Sequence, residues 1–291
     1  MVFPKVSIIM GVYNELQEDL DATIRSVLEQ TFSDFELIII DDCSSETPVF
    51  PKDRRIIIIR NEKNLGLTRS LNKGIEKAKG KYIARIDARD IWKKEKLQKQ
   101  IEFLEKNKDY IICGTQSFLI DKKGNVLGKT WFESEDLEIR KRLLLNRGIY
   151  LHSSIVFKNS GIKYREFFRY SQDLDLYFRL FFEGKCFCLK DSLMECQSEV
   201  SKISIEKKYY QRQYQNIARA LFRQRIKSGR DDLDDGKTIR IKESRVGLFF
   251  CRISMIFYSK YIKNRIKKKP LWIFWLLVSF AFYPPLAKDY L

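Results

Sequence analysis

Two aspartates three residues apart, Asp87 and Asp90, with Arg89 between them, close the stretch YIARIDARD over residues 82–90. Residues 82–86 read as a buried strand that empties into a tight acidic loop. Ligands of an open α/β sheet collect outside the carboxyl ends of its strands. Carboxylates at such an exit hold hard cations such as Mg²⁺ or Mn²⁺, and those cations hold diphosphates. Asp is also an ordinary turn residue, so the loop alone is equally compatible with a solvated turn. A second candidate acid, Asp173, lies in YSQDLDLYFRL over residues 170–180. Leu174, Tyr177, Phe178 and Phe181 form an apolar helical stripe that puts Asp173 in the first turn, where the helix dipole favours a carboxylate. A capping acid is the plain reading of that position.

These residues must be positioned by the elements around them. Residues 6–10 form a continuous apolar run of the kind buried on both faces of a parallel sheet, closed by Gly11, Val12, Tyr13, Asn14 and Glu15. Leu20, Ile24, Val27 and Leu28 recur at helical spacing. Strands are expected again at 35–40 and 55–59, with a helix through Leu67, Leu71, Ile75 and Ala78 before the 82–86 strand. Alternating strands and helices imply βαβ crossovers and a mostly parallel sheet. Tyr13 offers a flat face for a base, and Asp42, after the second strand, an acceptor for a base N–H or a ribose hydroxyl. There is no GxGxxG after the first strand and no GxxxxGK[ST], so neither a dinucleotide fold nor a P-loop fits.

Further on, a helix is expected through Leu97, Ile101 and Leu104, a hairpin from 110–120 and 126–131, and a helix over 135–145. His152 precedes an apolar strand at 155–157; as the one histidine it suits either a site role or a structural hydrogen bond. Residues 186–189 read as a short strand, 201–227 as a long basic helix, and 228–236 (SGRDDLDDG) as a solvated linker.

Four stretches in order, VSIIMGVYNE, FELIIIDDCSSE, NLGLTRSLNKGIEKAKG and YIARIDARD, resemble the family 2 glycosyltransferases over about ninety residues. The resemblance implies a GT-A (Rossmann-like) fold and inverting transfer of a sugar from a nucleotide-diphosphate donor, most simply a UDP-sugar, to an acceptor hydroxyl. It implies that Tyr13 and Asp42 grip the base, with Asn14, Glu15 and Arg69 on the donor side. Asp87 and Asp90 then lie on the ribose, metal and diphosphate, the metal being Mn²⁺ or Mg²⁺. Asp173 takes the place of the family's catalytic base, with Gln172 where the family has Glu, and His152 stands where the family often has His. Besides Gln172, three positions depart from the family pattern: Gly11 for Pro, Cys43 for Gly, and Arg89 for an acid. The last changes local charge by two units, which weakens metal binding or substitutes an Arg fork on phosphate. A catalytically impaired nucleotide-sugar-binding protein and a nucleotidyltransferase are the alternatives.

The chain has 291 residues and 55 Lys+Arg against 38 Asp+Glu, a net charge of +17, which calls for an anionic partner. No CxxC spacing or His cluster makes a zinc site, and no nucleic-acid reading module is present. Ten Lys/Arg lie within 240–269, interleaved with Leu248, Phe249, Phe250, Ile253 and Ile256, and residues 271–283 (LWIFWLLVSFAFY) are almost wholly apolar. Thirteen helical residues span about 20 Å, short of the ~30 Å hydrocarbon core. The expectation is a catalytic domain over 1–230 and a tail over 231–291 that associates, peripherally or as a monotopic anchor, with the anionic cytoplasmic face of the cell membrane, where a lipid-linked glycan acceptor would lie. The absence of a charged n-region followed by an apolar h-region argues against a secretory signal.

Overall fold

The computed structural model describes residues 3–121, 123–144, 148–197 and 205–241, with 249, 253 and 257. The chain falls into two compact units, Met1–Glu199 and Val200–Leu291.

In the first unit, β1 (Val6–Val12), β2 (Phe35–Asp41) and β4 (Tyr82–Arg85) are buried almost throughout, with Ile8, Leu37, Ile38 and Ala84 fully so. Continuous Val/Ile/Leu runs give this result because helices cover both faces of a parallel sheet, and each such side chain contributes about 1.5–3 kcal/mol on burial. β3 (Ile56–Arg60) pairs parallel with β2 but is the outer strand, and Ile57 and Ile58 stay exposed. α1 (Gln17–Leu28) lays Leu20, Ile24 and Val27 on the core, and Glu18 and Asp19 in its first turn suit the dipole. α2 (Leu67–Lys77) approaches so closely that a Cβ on Gly74 would meet Ile9 at 2.6 Å and Ile40 at 2.8 Å. After the two-residue β5 (Ile91–Trp92), α3 (Lys96–Lys106) leads into β6 (Tyr110–Ile120) and β7 (Val126–Lys129), the expected hairpin. α4 (Asp136–Leu144), β8 (Val156–Lys158), α5 (Gln172–Leu180) and β9 (Lys185–Gln197) complete the unit.

The sheet runs β3-β2-β1-β4-β8-β6-β9-β5, with β7 on β6. It is parallel from β3 to β4, turns antiparallel at β8, and is parallel again where β6 meets β9. Two elements differ from the sequence expectation. The short strand at 186–189 is the start of the thirteen-residue β9, which continues through the polar Lys190-Asp191-Ser192 because register shifts against β6 absorb that stretch. His152–Ser154 is a single 3-10 turn, which delays the following strand to Val156.

In the second unit α6 spans Ile205–Ser228. The acidic loop after it is folded back rather than free: Asp231 is buried and ion-pairs with Arg225 at 3.0 Å, and Gln224 donates to Asp232 at 2.7 Å. Among the described residues no helix is long and apolar enough to cross a membrane. The stretch 271–283 and most of 240–269 lie outside the described residues.

Candidate active site

β1, β2 and β4 end side by side, with Val12 beside Asp41 and Ile9 beside Arg85, so the loops that follow share one edge. The first two loops are laced together. Asn14 donates its backbone N–H to Ser44 Oγ at 3.0 Å, and its Oδ1 accepts from the Ser45 N–H and hydroxyl, each at 2.9 Å. Asn14 (φ 54°) and Cys43 (φ 64°) both adopt left-handed backbone, which accounts for glycine being usual in the family at the second position. Tyr13 stands half exposed at the rim. Glu15 ion-pairs with Arg89 at 3.0 Å, tying the first loop to the acidic one. Burial lifts the Glu15 carboxyl above its usual range, against the pull of Arg89.

Asp42 is buried and fully engaged. One carboxylate oxygen accepts from Asn61 Nδ2 at 2.7 Å and the Leu65 N–H at 2.8 Å, and the other from the Gly66 N–H at 2.8 Å. It therefore orders the turn into α2. Beyond that turn Arg69 ion-pairs with Glu166 at 2.8 Å and lines a cavity of about 390 Å³ with Asn64, Thr68, Phe168 and Arg169.

The acidic loop is held from several sides. The Asp87 N–H donates to Ser153 Oγ at 2.8 Å, and its half-exposed carboxylate is ion-paired with Arg85. Arg89, with φ 80°, donates its N–H to Thr23 Oγ1 at 2.9 Å. Asp90 is buried, and burial first, then the neighbouring Asp87, push its carboxyl up to about 7, against hydrogen bonds from Ser153 and Cys196. Lys96 lies fully buried with its ammonium 3.9 Å over the Trp92 ring, and burial lowers it to about 7.

On the other side, His152 Nε2 and the Tyr164 hydroxyl are hydrogen-bonded at 2.6 Å. Burial, helped by the Arg85 charge, drops His152 to about 3, so the imidazole is neutral. α5 is anchored by Asp175, which ion-pairs with Arg179 at 3.0 Å and Arg165 at 3.4 Å. Asp173 lies in its first turn, where the backbone N–H groups of Asp173 and Leu174 favour its carboxylate. Burial nevertheless raises its carboxyl above the ordinary value; Asp87 adds to the rise and Arg85 opposes it. Asp173 and Asp87 thus lie within reach of each other's charge, with Arg85 acting on both. Among the described residues Asp173 forms no ion pair.

The structure therefore gathers Asp87, Asp90, His152 and Asp173 into one neighbourhood, with Tyr13, Asn14, Glu15 and Arg89 on the adjoining rim. Asp42 lies beneath that rim as a loop support, and Arg69 belongs to the neighbouring cavity. Three participants are not apparent from the sequence reading: Arg85, Ser153 and Tyr164. Arg85 alone carried a signal, a charged residue inside an otherwise apolar strand, which must find a buried partner.

No group of three or more His, Cys, Asp or Glu suited to a metal gathers among the described residues. Mg²⁺ commonly uses one or two carboxylates and fills its shell with water and substrate phosphate. Asp87 lies beside a buried Asp90 whose ionisation it disfavours, a pair that a divalent cation would stabilise, so these residues fit such an ion.

Residues 7–165 match the model for glycosyl transferase family 2. The chain is 35% identical over 186 residues to "Uncharacterized glycosyltransferase MJ1057" of Methanocaldococcus jannaschii, covering 60% of this chain and 64% of that one. It is 34% identical to "Putative glycosyltransferase EpsE" of Bacillus subtilis (62% and 68%), and 35% identical to the "UDP-Glc:alpha-D-GlcNAc-diphosphoundecaprenol beta-1,3-glucosyltransferase WfgD" of Escherichia coli (50% and 56%). The chain thus spans only about half to two thirds of these relatives' lengths. The crystal structure of S. aureus TarS 1–349 in complex with UDP-GlcNAc superposes with a TM-score of 0.57 at 16% identity, covering 74% of this chain and 66% of that one, which establishes a shared GT-A-like fold.

Proposed function

Because the chain belongs to glycosyl transferase family 2, we propose that it moves a sugar from a UDP-sugar to an acceptor hydroxyl with inversion. We further infer a lipid-linked glycan acceptor, in the assembly of a cell-surface polysaccharide. The observation that carries this reading is the family match over residues 7–165 together with the acids Asp87 and Asp90 at the exit of β4 and Asp173 in the first turn of α5. In-line displacement at an anomeric carbon needs a proton acceptor on one face and charge stabilisation on the other. Asp173, near the start of α5 and without an ion pair among the described residues, suits the first task. Its carboxylate takes the acceptor O–H proton as that oxygen bonds to C1. The C1–phosphate bond breaks and its electron pair leaves with UDP. On the leaving side Asp87, Arg89 and Arg85 orient the donor.

Family members generally use a divalent metal. Here Asp90, with Asp87, would hold Mn²⁺ or Mg²⁺, which would stabilise charge on the departing diphosphate. The similarity to WfgD, named for a UDP-linked donor and a diphosphoundecaprenol-linked acceptor, supports the substrate classes, as does the TarS complex for UDP. The basic and apolar residues of 240–283 support attachment, peripheral or monotopic, to the cytoplasmic face of the cell membrane.

Arg89, which stands where the family usually has an acid and pairs with Glu15, favours one second reading: a protein that binds nucleotide sugars with impaired turnover. Incubating the purified chain with a panel of UDP-sugars and short polyprenyl-diphosphate sugars, and following the product anomer by NMR, tests both. A product of inverted configuration supports transfer. Nucleotide-sugar binding with neither transfer nor donor hydrolysis overturns it in favour of the second reading.

A further inference from the structure

Arg85 is 1% exposed, on a central strand between Ala84 and Ile86, both fully buried. Placing a guanidinium there carries a desolvation cost of several kcal/mol that an apolar side chain of similar length would avoid. The protein's own use of it is incomplete. Nη1 reaches the Ile9 carbonyl at a long 3.5 Å, and Nε, though buried, has no hydrogen-bond partner. The strong contact is the ion pair of Nη2 with Asp87. Asp87 in turn is 43% exposed at its side chain, so the buried cation is coupled directly to a carboxylate that faces the ligand edge. The Asp87 backbone is pinned separately by Ser153 Oγ, which leaves Arg85 to set the direction of the carboxylate. The Arg85 charge also acts on Asp90, His152, Tyr164, Asp173 and Tyr177, groups that come from the acidic loop, the 3-10 turn, the segment before α5 and α5 itself.

We propose that Arg85 is a positioning residue of the transfer reaction: its buried guanidinium fixes the Asp87 carboxylate toward the nucleotide-sugar donor and supplies the internal counter-charge between the donor and base sides. This rests on the reading of the site as a sugar-transfer site and assigns a function to a residue whose burial alone would pass for packing.

The experiment compares Arg85→Met and Arg85→Lys, each with and without Asp87→Asn. Donor KM and kcat are measured with saturating acceptor, UDP-sugar binding by calorimetry, and folding by circular dichroism and melting temperature. Arg85→Met is expected to raise donor KM at least tenfold and weaken UDP-sugar binding in parallel. Arg85→Lys, which keeps the charge but not the fork, is expected to raise it about threefold. In the Asp87→Asn background either Arg85 change is expected to alter donor KM by less than twofold, because the effect passes through that carboxylate. A folded Arg85→Met protein with wild-type donor KM overturns the proposal. So do effects of Arg85 and Asp87 that simply multiply, which is the signature of a structural role. If Arg85→Met does not fold, the Arg85→Lys pair decides by the same rule. Failure of the wild-type chain to transfer any sugar removes the underlying reading, whereas a transferring wild type with silent Arg85 variants removes this inference alone.

Discussion

The acidic loop after β4 and the first turn of α5 both present carboxylates to one edge of the sheet, yet their company differs. Asp87 is ion-paired with Arg85, Arg89 lies against Glu15, and Asp90 is sunk beside them. Asp173 has backbone N–H groups and no ion pair among the described residues. A cation-rich surround suits binding and stabilising an anionic leaving group, whereas a carboxyl raised by burial and by the charge of Asp87 suits taking a proton. One fold edge thus holds two environments that push like groups toward different work.

The contrast breaks most directly at Asp173. Asp173→Asn is expected to lower kcat at least about a hundredfold while UDP-sugar affinity by calorimetry stays within twofold. Near-normal turnover would remove Asp173 from the proton-accepting role. Asp87→Asn should show the converse pattern, with the larger part of an order-tenfold loss falling on donor KM. Substituting Arg89→Asp restores an acid and frees Glu15; Mn²⁺ should then activate at several-fold lower concentration, read by titration after EDTA treatment.

The pH dependence of stability sharpens the comparison further. Burial raises Asp90 from 3.8 to about 7, so between these values the folded chain holds a proton that the unfolded chain has released. Its stabilising contribution is complete below the unfolded value and is lost as pH rises through about 7. Without metal, the melting temperature should therefore fall by on the order of a few degrees over that window. Asp90→Asn or saturating Mg²⁺ should flatten the slope. The smallest effect is expected at Cys43, whose φ of 64° a glycine adopts without strain. Cys43→Gly should stabilise by about 0.5–1 kcal/mol, seen in urea denaturation.

Buried strands declare themselves, which is why β1, β2 and β4 stand where continuous β-branched runs put them. β5, two residues long, and the polar middle of β9 owe their strand form to pairing with distant partners, which no local pattern encodes. The site divides in the same way. Asp87, Asp90 and Asp173 stand out as candidates in the sequence because strand exits and helix starts are local features. Ser153 and Tyr164 are not, because their importance arises from contacts across 66 residues to Asp87 in one case and 12 residues to His152 in the other. Asp42 adds a role that its strand-end position did not suggest: its oxygens accept from Asn61, Leu65 and Gly66 and so order the turn into α2.

That arrangement at Asp42 bears on the tempo of capture. A carboxylate that ties residues 61, 65 and 66 together by hydrogen bonds internal to the chain narrows the conformations open to this border, and with them the ordering that capture must supply. Association with a nucleotide sugar should accordingly be a single fast phase, and Asp42→Ala should turn it into a slow, two-phase process by releasing that border.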